Sequence, residues 1–226
     1  MPSLEQANVI WLASYPRSGN TLLRTVLWQC FGLRSTSVYP NDLDGNRELA
    51  AQIGHIFPEA NNEVHIPDTE LPLVKTHELP PDASPAIYVV REGRAATVSL
   101  WKFYHEKTSL EQIIAGQSEF GTWTNHVAAW RPWERDHTLM IKYEDMLQDL
   151  STVLNGISAF LGCDIIKQTI PPRDVMAQVG GKMVRPSTDW RESLLGPLLQ
   201  QFDRINGDMM RALGYDRLDK PKIECL

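Results

Sequence analysis

Cysteine is scarce in this chain: Cys30, Cys163 and Cys225 are its only three. Their odd number and wide spacing argue against a disulfide framework or a zinc cluster, and a reducing cytoplasm is the compartment that suits them. Long apolar runs are missing as well, and none approaches the roughly 20 residues of a membrane span. The opening stretch from Met1 to Gln6 has neither the basic start nor the apolar centre of a leader peptide. Cys225 stands one residue from the end, which is the wrong place for a prenylation box. A cytoplasmic protein with no membrane partner is therefore expected. Nor is there an excess of positive charge. The formal net charge of -6 speaks against a chain that coats nucleic acid as a whole. Repeats, low-complexity tracts and linkers are absent too. What remains is 226 residues, 42% hydrophobic and 22% charged, the balance of one globular domain over 1–226, with its core at about 9–215 and a short tail.

The positive signals begin with the apolar run Val9–Ala13, which reads as a buried strand. A helix follows over about 18–31, with apolar residues at helical spacing and Gly32 as its cap. Residues 35–70 are the least readable stretch, with one helix near 47–57. Further short strands are expected at 73–75, 87–90 and 139–141, and helices at 95–104 and around Trp123, Val127 and Trp130. Leu147, Leu150, Leu154, Ile157 and Leu161 form a helical stripe closed by Gly162, and a last helix is expected over about 192–213. Short apolar strands alternating with amphipathic helices predict an α/β three-layer sandwich around a parallel sheet. Ligands in such folds bind at the carboxyl ends of the strands.

Three polar motifs fall at those ends. Ser14-Tyr15-Pro16-Arg17-Ser18-Gly19-Asn20-Thr21 joins the first strand to the first helix. A strand, turn and helix start aim free backbone N–H groups and the positive end of the helix dipole at one point, which favours phosphate. Gly19 permits close approach, Ser18, Asn20 and Thr21 offer side-chain donors, and Arg17 adds a fixed charge. The segment lacks the Lys-Ser/Thr ending of a Walker A loop. Second, Lys75-Thr76-His77 ends the strand at 73–75. The period of two puts Lys75 and His77 on one side, and an imidazole is the side chain best suited to take a proton near neutrality. Third, Arg91 ends the strand at 87–90 and Ser99 lies eight residues later, after Glu92-Gly93-Arg94. Folded back on each other, the two could clamp one phosphate dianion.

Taken in order, Tyr15-Pro16-Arg17-Ser18-Gly19-Asn20-Thr21, Lys75-Thr76-His77 and the Arg91–Ser99 pair resemble the motifs of the sulfotransferases that use 3′-phosphoadenosine 5′-phosphosulfate (PAPS). The resemblance runs from about residue 9 to residue 195. It implies the P-loop, nucleotide-kinase-like sulfotransferase fold. It further implies that Arg17, Ser18, Gly19, Asn20, Thr21 and Leu22 hold the 5′-phosphosulfate, and that Arg91, Ser99 and Arg185 hold the 3′-phosphate, with Lys182 as a fallback. Tyr143, in Tyr143-Glu144-Asp145, would lie near the adenine. His77 would be the general base, with Lys75 and Arg17 as cations stabilising the transferring group, and no metal would be needed. The acceptor would be a small molecule bearing a hydroxyl or amine. Trp101, Phe103, Tyr104, Trp123 and Trp130 are candidates for lining an aromatic acceptor pocket, although aromatics at helical spacing more often belong to the core.

Several residues depart from the family pattern. Arg17 replaces a lysine, Asn20 replaces a threonine, and Glu78 intervenes between His77 and Leu79-Pro80. Near the C-terminus Asp189-Trp190-Arg191 is present without the family's Arg-Lys-Gly. No match to the family's dimerisation motif is found, which leaves a homodimer open. Two other readings compete: a non-catalytic protein that binds the product nucleotide 3′-phosphoadenosine 5′-phosphate (PAP) or PAPS, and a P-loop kinase. The missing Walker residues and magnesium carboxylate speak against the kinase.

Overall fold

The computed structural model describes residues 7–58, 66, 70–104, 107–181, 184 and 189–215. In chain order they form β1 (Ile10–Ser14), α1 (Asn20–Phe31), β2 (Thr36–Ser37), α2 (Arg47–Gln52), β3 (Leu73–Thr76) and β4 (Ala86–Val90). Then come α3 (Gly93–Phe103), α4 (Leu110–Ile114), α5 (Trp123–Trp130), β5 (Thr138–Lys142), α6 (Tyr143–Gln148), α7 (Leu150–Leu161) and α8 (Arg173–Gly180). A 3-10 turn (Trp190–Glu192) and α9 (Gly196–Ala212) close the described chain.

The five strands are all parallel, in the order β2-β3-β1-β4-β5. Alternation along the strands divides the core in two. Ile10, Leu12, Ile87 and Val89 face α1, α6 and α7, whereas Ala13, Ala86, Tyr88 and Val90 face α3, α4, α5 and α9. Burial on both faces explains why these strands read as unbroken apolar runs. A third, smaller cluster joins α2 and α8 through Leu49, Ile53 and Met176. The expected three-layer α/β fold is the one observed. No helix among the described residues is long and apolar enough to cross a membrane.

From β1 the chain crosses to β2 at one edge, inserts β3 between the two, and then crosses to β4 on the other side of β1. The carboxyl end of β1 is therefore the point where strand order reverses, and crevices in such sheets open there. Several boundaries differ from expectation for local reasons. The helix expected over 47–57 stops at Gln52, because the chain turns through Gly54 at φ +61, pressed against Trp28. The last helix starts at Gly196 rather than 192, since Gly196 (φ +51) and Pro197 reset the backbone first. The leucine stripe is broken at Asp149, whose side chain accepts from the Thr152 amide and caps α7. Leu147 thus belongs to α6 and is exposed, while Leu154, Ile157 and Leu161 are buried as expected.

Candidate active site

The loop between β1 and α1 turns through two left-handed residues, Arg17 (φ +66) and Gly19 (φ +108). Glycine at 19 is demanded by packing as well as by φ. A Cβ there would meet Cδ2 of Tyr143 at 2.4 Å. Arg17 pays for its unusual backbone with two contacts: its carbonyl accepts from Arg91 Nη1 at 2.9 Å, and its Nε donates to Ser99 Oγ at 3.3 Å. α1 begins with no side-chain cap and no acidic residue in its first turn. The Leu23 amide donates to Gly19 at 2.9 Å, so the amides of Asn20, Thr21 and Leu22 lie in the first turn, ahead of the intrahelical ladder. Ser18 is fully buried, and among the described residues its Oγ finds no hydrogen-bond partner. An orphaned hydroxyl, a glycine cradle and a run of first-turn amides together form a donor set that fits an anion.

Asn20 is spent differently from its expected role as a ligand donor. Its Nδ2 turns inward and donates to the Leu12 carbonyl at 2.8 Å, tying the loop to the strand it leaves.

Arg17, Arg91, Ser99 and Tyr143 are brought together. The Arg91 guanidinium lies 4.4 Å from the centre of the Tyr143 ring, and that of Arg17 lies 5.0 Å from Phe103. Arg94, only three residues from Arg91, goes elsewhere. It is buried between Trp190 and Phe202 and donates to Glu92 and Asp203. Glu144, in the first turn of α6, accepts from the Glu92 amide and from the Tyr215 hydroxyl, which joins α3, α6 and the end of α9. Arg185 and Lys182 lie outside the described residues.

His77 follows the last residue of β3, beside the end of β1. Its Nδ1 is 2.8 Å from the carbonyl oxygen of Ser14. A carbonyl only accepts, so the neutral ring carries its proton on Nδ1 and leaves a lone pair on Nε2. Burial, reinforced by the nearby Lys75 ammonium, holds the imidazole well below its ordinary pKa. Tyr39 and His126, which sequence reasoning did not single out, fix this corner together with Trp130, which it placed among the acceptor-pocket candidates. The Tyr39 hydroxyl accepts from the His77 amide at 3.0 Å and donates to Glu78 at 2.8 Å, with its ring stacked on the imidazole. His126 Nε2 donates to the His77 carbonyl at 3.0 Å, while its Nδ1 accepts from Tyr88. Trp130 Nε1 donates to the Glu78 carbonyl at 2.9 Å. No local sequence pattern links residues 39, 77, 126 and 130; they meet only through the fold.

Lys75 reaches the same cavity, but its ammonium is paired with Asp42. Burial pulls the Lys75 pKa down, Asp42 opposes that pull, and Arg24 reinforces it. The cavity has a volume of about 450 Å³ and is lined by Arg17, Lys75, His77, Arg91, Ser99 and Tyr143 among others. Of the aromatic candidates, Phe103 and Tyr104 line it, joined by Tyr39 and Phe120. Trp123 and Trp130 are core residues, and Trp101 packs against the same core.

The sulfotransferase domain profile matches residues 8–172. The chain belongs to the sulfotransferase domain family. Sulfotransferase 4A1 of Homo sapiens is 27% identical over 179 residues, covering 69% of this chain and 61% of that protein. Sulfotransferase 1E1 of Mus musculus is 29% identical over 253 residues, covering 88% of this chain and 82% of its own. This chain thus spans about 61% of the length of the first of these relatives. Mouse sulfotransferase SULT7A1, solved in complex with PAP, shares the fold at a TM-score of 0.61 and 22% identity, over 90% of this chain and 84% of that one.

Proposed function

We propose that the chain is a single sulfotransferase domain that moves a sulfuryl group from PAPS to the hydroxyl, or amine, of a small acceptor. The observation that carries the reading is one cavity with two chemistries at the carboxyl ends of β1, β3 and β4. The cationic, amide-rich loop after β1 lines it, with the orphaned Ser18 hydroxyl buried in that loop, and His77 brings to it a neutral imidazole with a fixed tautomer. Bound at the loop, PAPS supplies a sulfuryl group activated by its 5′-phosphate.

Arg17, Ser18, Gly19 and the amides of Asn20, Thr21 and Leu22 hold the 5′ end. Arg91 and Ser99 hold the 3′-phosphate, and Tyr143, backed by Gly19, offers a ring face to the adenine. Nε2 of His77 takes the acceptor proton as the acceptor oxygen attacks sulfur. The S–O bond to the phosphate breaks, and the electron pair leaves on the phosphate oxygen, giving a sulfate ester and PAP. Lys75 and Arg17 face the charge that builds on the transferring group, which is where a preorganised cation contributes most. Phe103, Tyr104 and Phe120 around the cavity support an aromatic acceptor. The three dispersed cysteines support a cytoplasmic setting.

Incubation with radiolabelled PAPS and a panel of phenols, alcohols and arylamines tests the reading. Label is expected on at least one acceptor, with PAP released in equal amount. Tight PAP binding without transfer to any member would instead favour a nucleotide-binding protein.

A further inference from the structure

Arg24 is a fully buried arginine on α1, and every side of its guanidinium is used. Nε donates to Ser35 Oγ at 2.8 Å, Nη1 to Asp42 Oδ2 at 2.7 Å, and Nη2 to His55 Nδ1 at 2.6 Å. His55 must be neutral to accept that bond, and burial together with Arg24 lowers its pKa to about 4. With one oxygen of Asp42 fixed by Arg24, the other is aimed at Lys75, whose ammonium it binds. Asp42 is itself buried. Burial disfavours its charge, but Lys75 and Arg24 outweigh that and hold the carboxyl below its ordinary range. The cluster therefore has two cations, one carboxylate and a neutral imidazole. One positive charge is left over in a largely dry place, at the wall of the cavity.

We propose that Asp42, clamped by Arg24, is a positioning residue that holds Lys75 charged and aimed into the cavity, so that the unmatched positive charge of the cluster is presented to the transferring sulfuryl group. The proposal rests on the sulfuryl-transfer reading for its chemistry and on the cluster alone for its electrostatics. Without Asp42 the lysine would still face Arg24 and Arg17 but would lose the carboxylate bound to it, beside the His77 and His55 rings and the Tyr39 ring at 5.3 Å. It would shed its proton more readily. A lysine matched one-to-one by Asp42, without Arg24, would bring no net charge to the reacting group. The shared carboxylate gives both a fixed direction and a surplus of charge. The geometry also explains why the unreadable stretch 35–70 matters: Ser35, Asp42 and His55 all come from it.

The test is a cycle built on Asp42→Asn and Lys75→Met, with Arg24→Met/Asp42→Asn as a second carrier in case the single variant leaves Arg24 too costly to bury. In Asp42→Asn, kcat is expected to fall at least tenfold with PAP affinity kept within about threefold. The alkaline limb of the pH profile should move about one unit or more toward acid, as an ammonium that has lost its counter-ion titrates earlier. In the Arg24→Met/Lys75→Met background, Asp42→Asn should change kcat by less than twofold, because neither cation that Asp42 pairs with remains. A readout independent of turnover is competitive acylation of the lysines followed by mass spectrometry. At pH 7.5, labelling of Lys75 relative to its high-pH plateau should rise about tenfold or more in Asp42→Asn and in the double variant. Equal Lys75 titration in wild type and both variants, or additive losses in the cycle, would overturn the proposal. Failure of the wild type to transfer sulfuryl groups would instead strike the functional reading, while the labelling experiment still decides the role of Asp42.

Discussion

Replacing His77 with alanine is expected to reduce turnover by about 10²–10⁴-fold, the range typical of a lost general base, while PAP affinity changes by no more than about threefold. The separation follows from the geometry. Nδ1 of His77 is committed to the Ser14 carbonyl, and the groups assigned to the nucleotide lie on the loop after β1, the start of α1, the turn after β4, α3 and α6. The same imidazole sets the acid limb of the pH profile. Its neutral form is the base, and burial with the Lys75 ammonium lowers its pKa. Activity should therefore hold as pH falls through 6.5 and decline only below it. Equal losses of turnover and PAP binding in His77→Ala, or an acid limb at or above 6.5, would remove His77 from the role of base.

Arg91→Met should have the second large effect, this time on binding. Arg91 holds the Arg17 carbonyl, lies over Tyr143 and stands at the cavity with Ser99. A hydrogen bond to a charged group contributes roughly 1.5–3 kcal/mol, so PAP affinity should fall about 10–10²-fold. AMP, which lacks the 3′-phosphate, should lose less. The PAP-to-AMP affinity ratio in wild type and variant, measured by titration calorimetry, checks this. An unchanged ratio would place the 3′-phosphate elsewhere.

Legibility in the sequence followed the range of the interactions. The β1-loop-α1 unit was readable because its physics is local: an apolar run, a turn, a glycine and a helical stripe within 22 residues of Ile10. Arg91 and Ser99 were readable as a spaced pair, and the structure does fold them to the same cavity. The interior was less legible. Asn20 looks like a ligand donor in sequence, but its amide is used by Leu12. Trp123 and Trp130 look available for an acceptor pocket, yet they fill the core. Lys75 is expected as a cation for the transferring group, and nothing in the sequence points to Asp42, 33 residues earlier, as its partner. Tyr39, Asp42 and His126 carry no motif at all. Their importance comes from pairing across elements, which periodicity does not encode. The helices α4 and α8 were also missed. Each is short, and α8 buries only Met176 and Gly180, with Met176 packed against α2.

The central claim is that this cavity reads a nucleotide by its 3′-phosphate. Calorimetric titration of the intact chain with PAP, AMP and ATP tests it most directly. PAP is expected to bind at least about 10²-fold more tightly than AMP, from two or more charge-assisted contacts to the extra phosphate, and ATP should bind weakly with or without magnesium. PAP binding no tighter than AMP, or ATP binding that is strong and magnesium-dependent, would contradict the account.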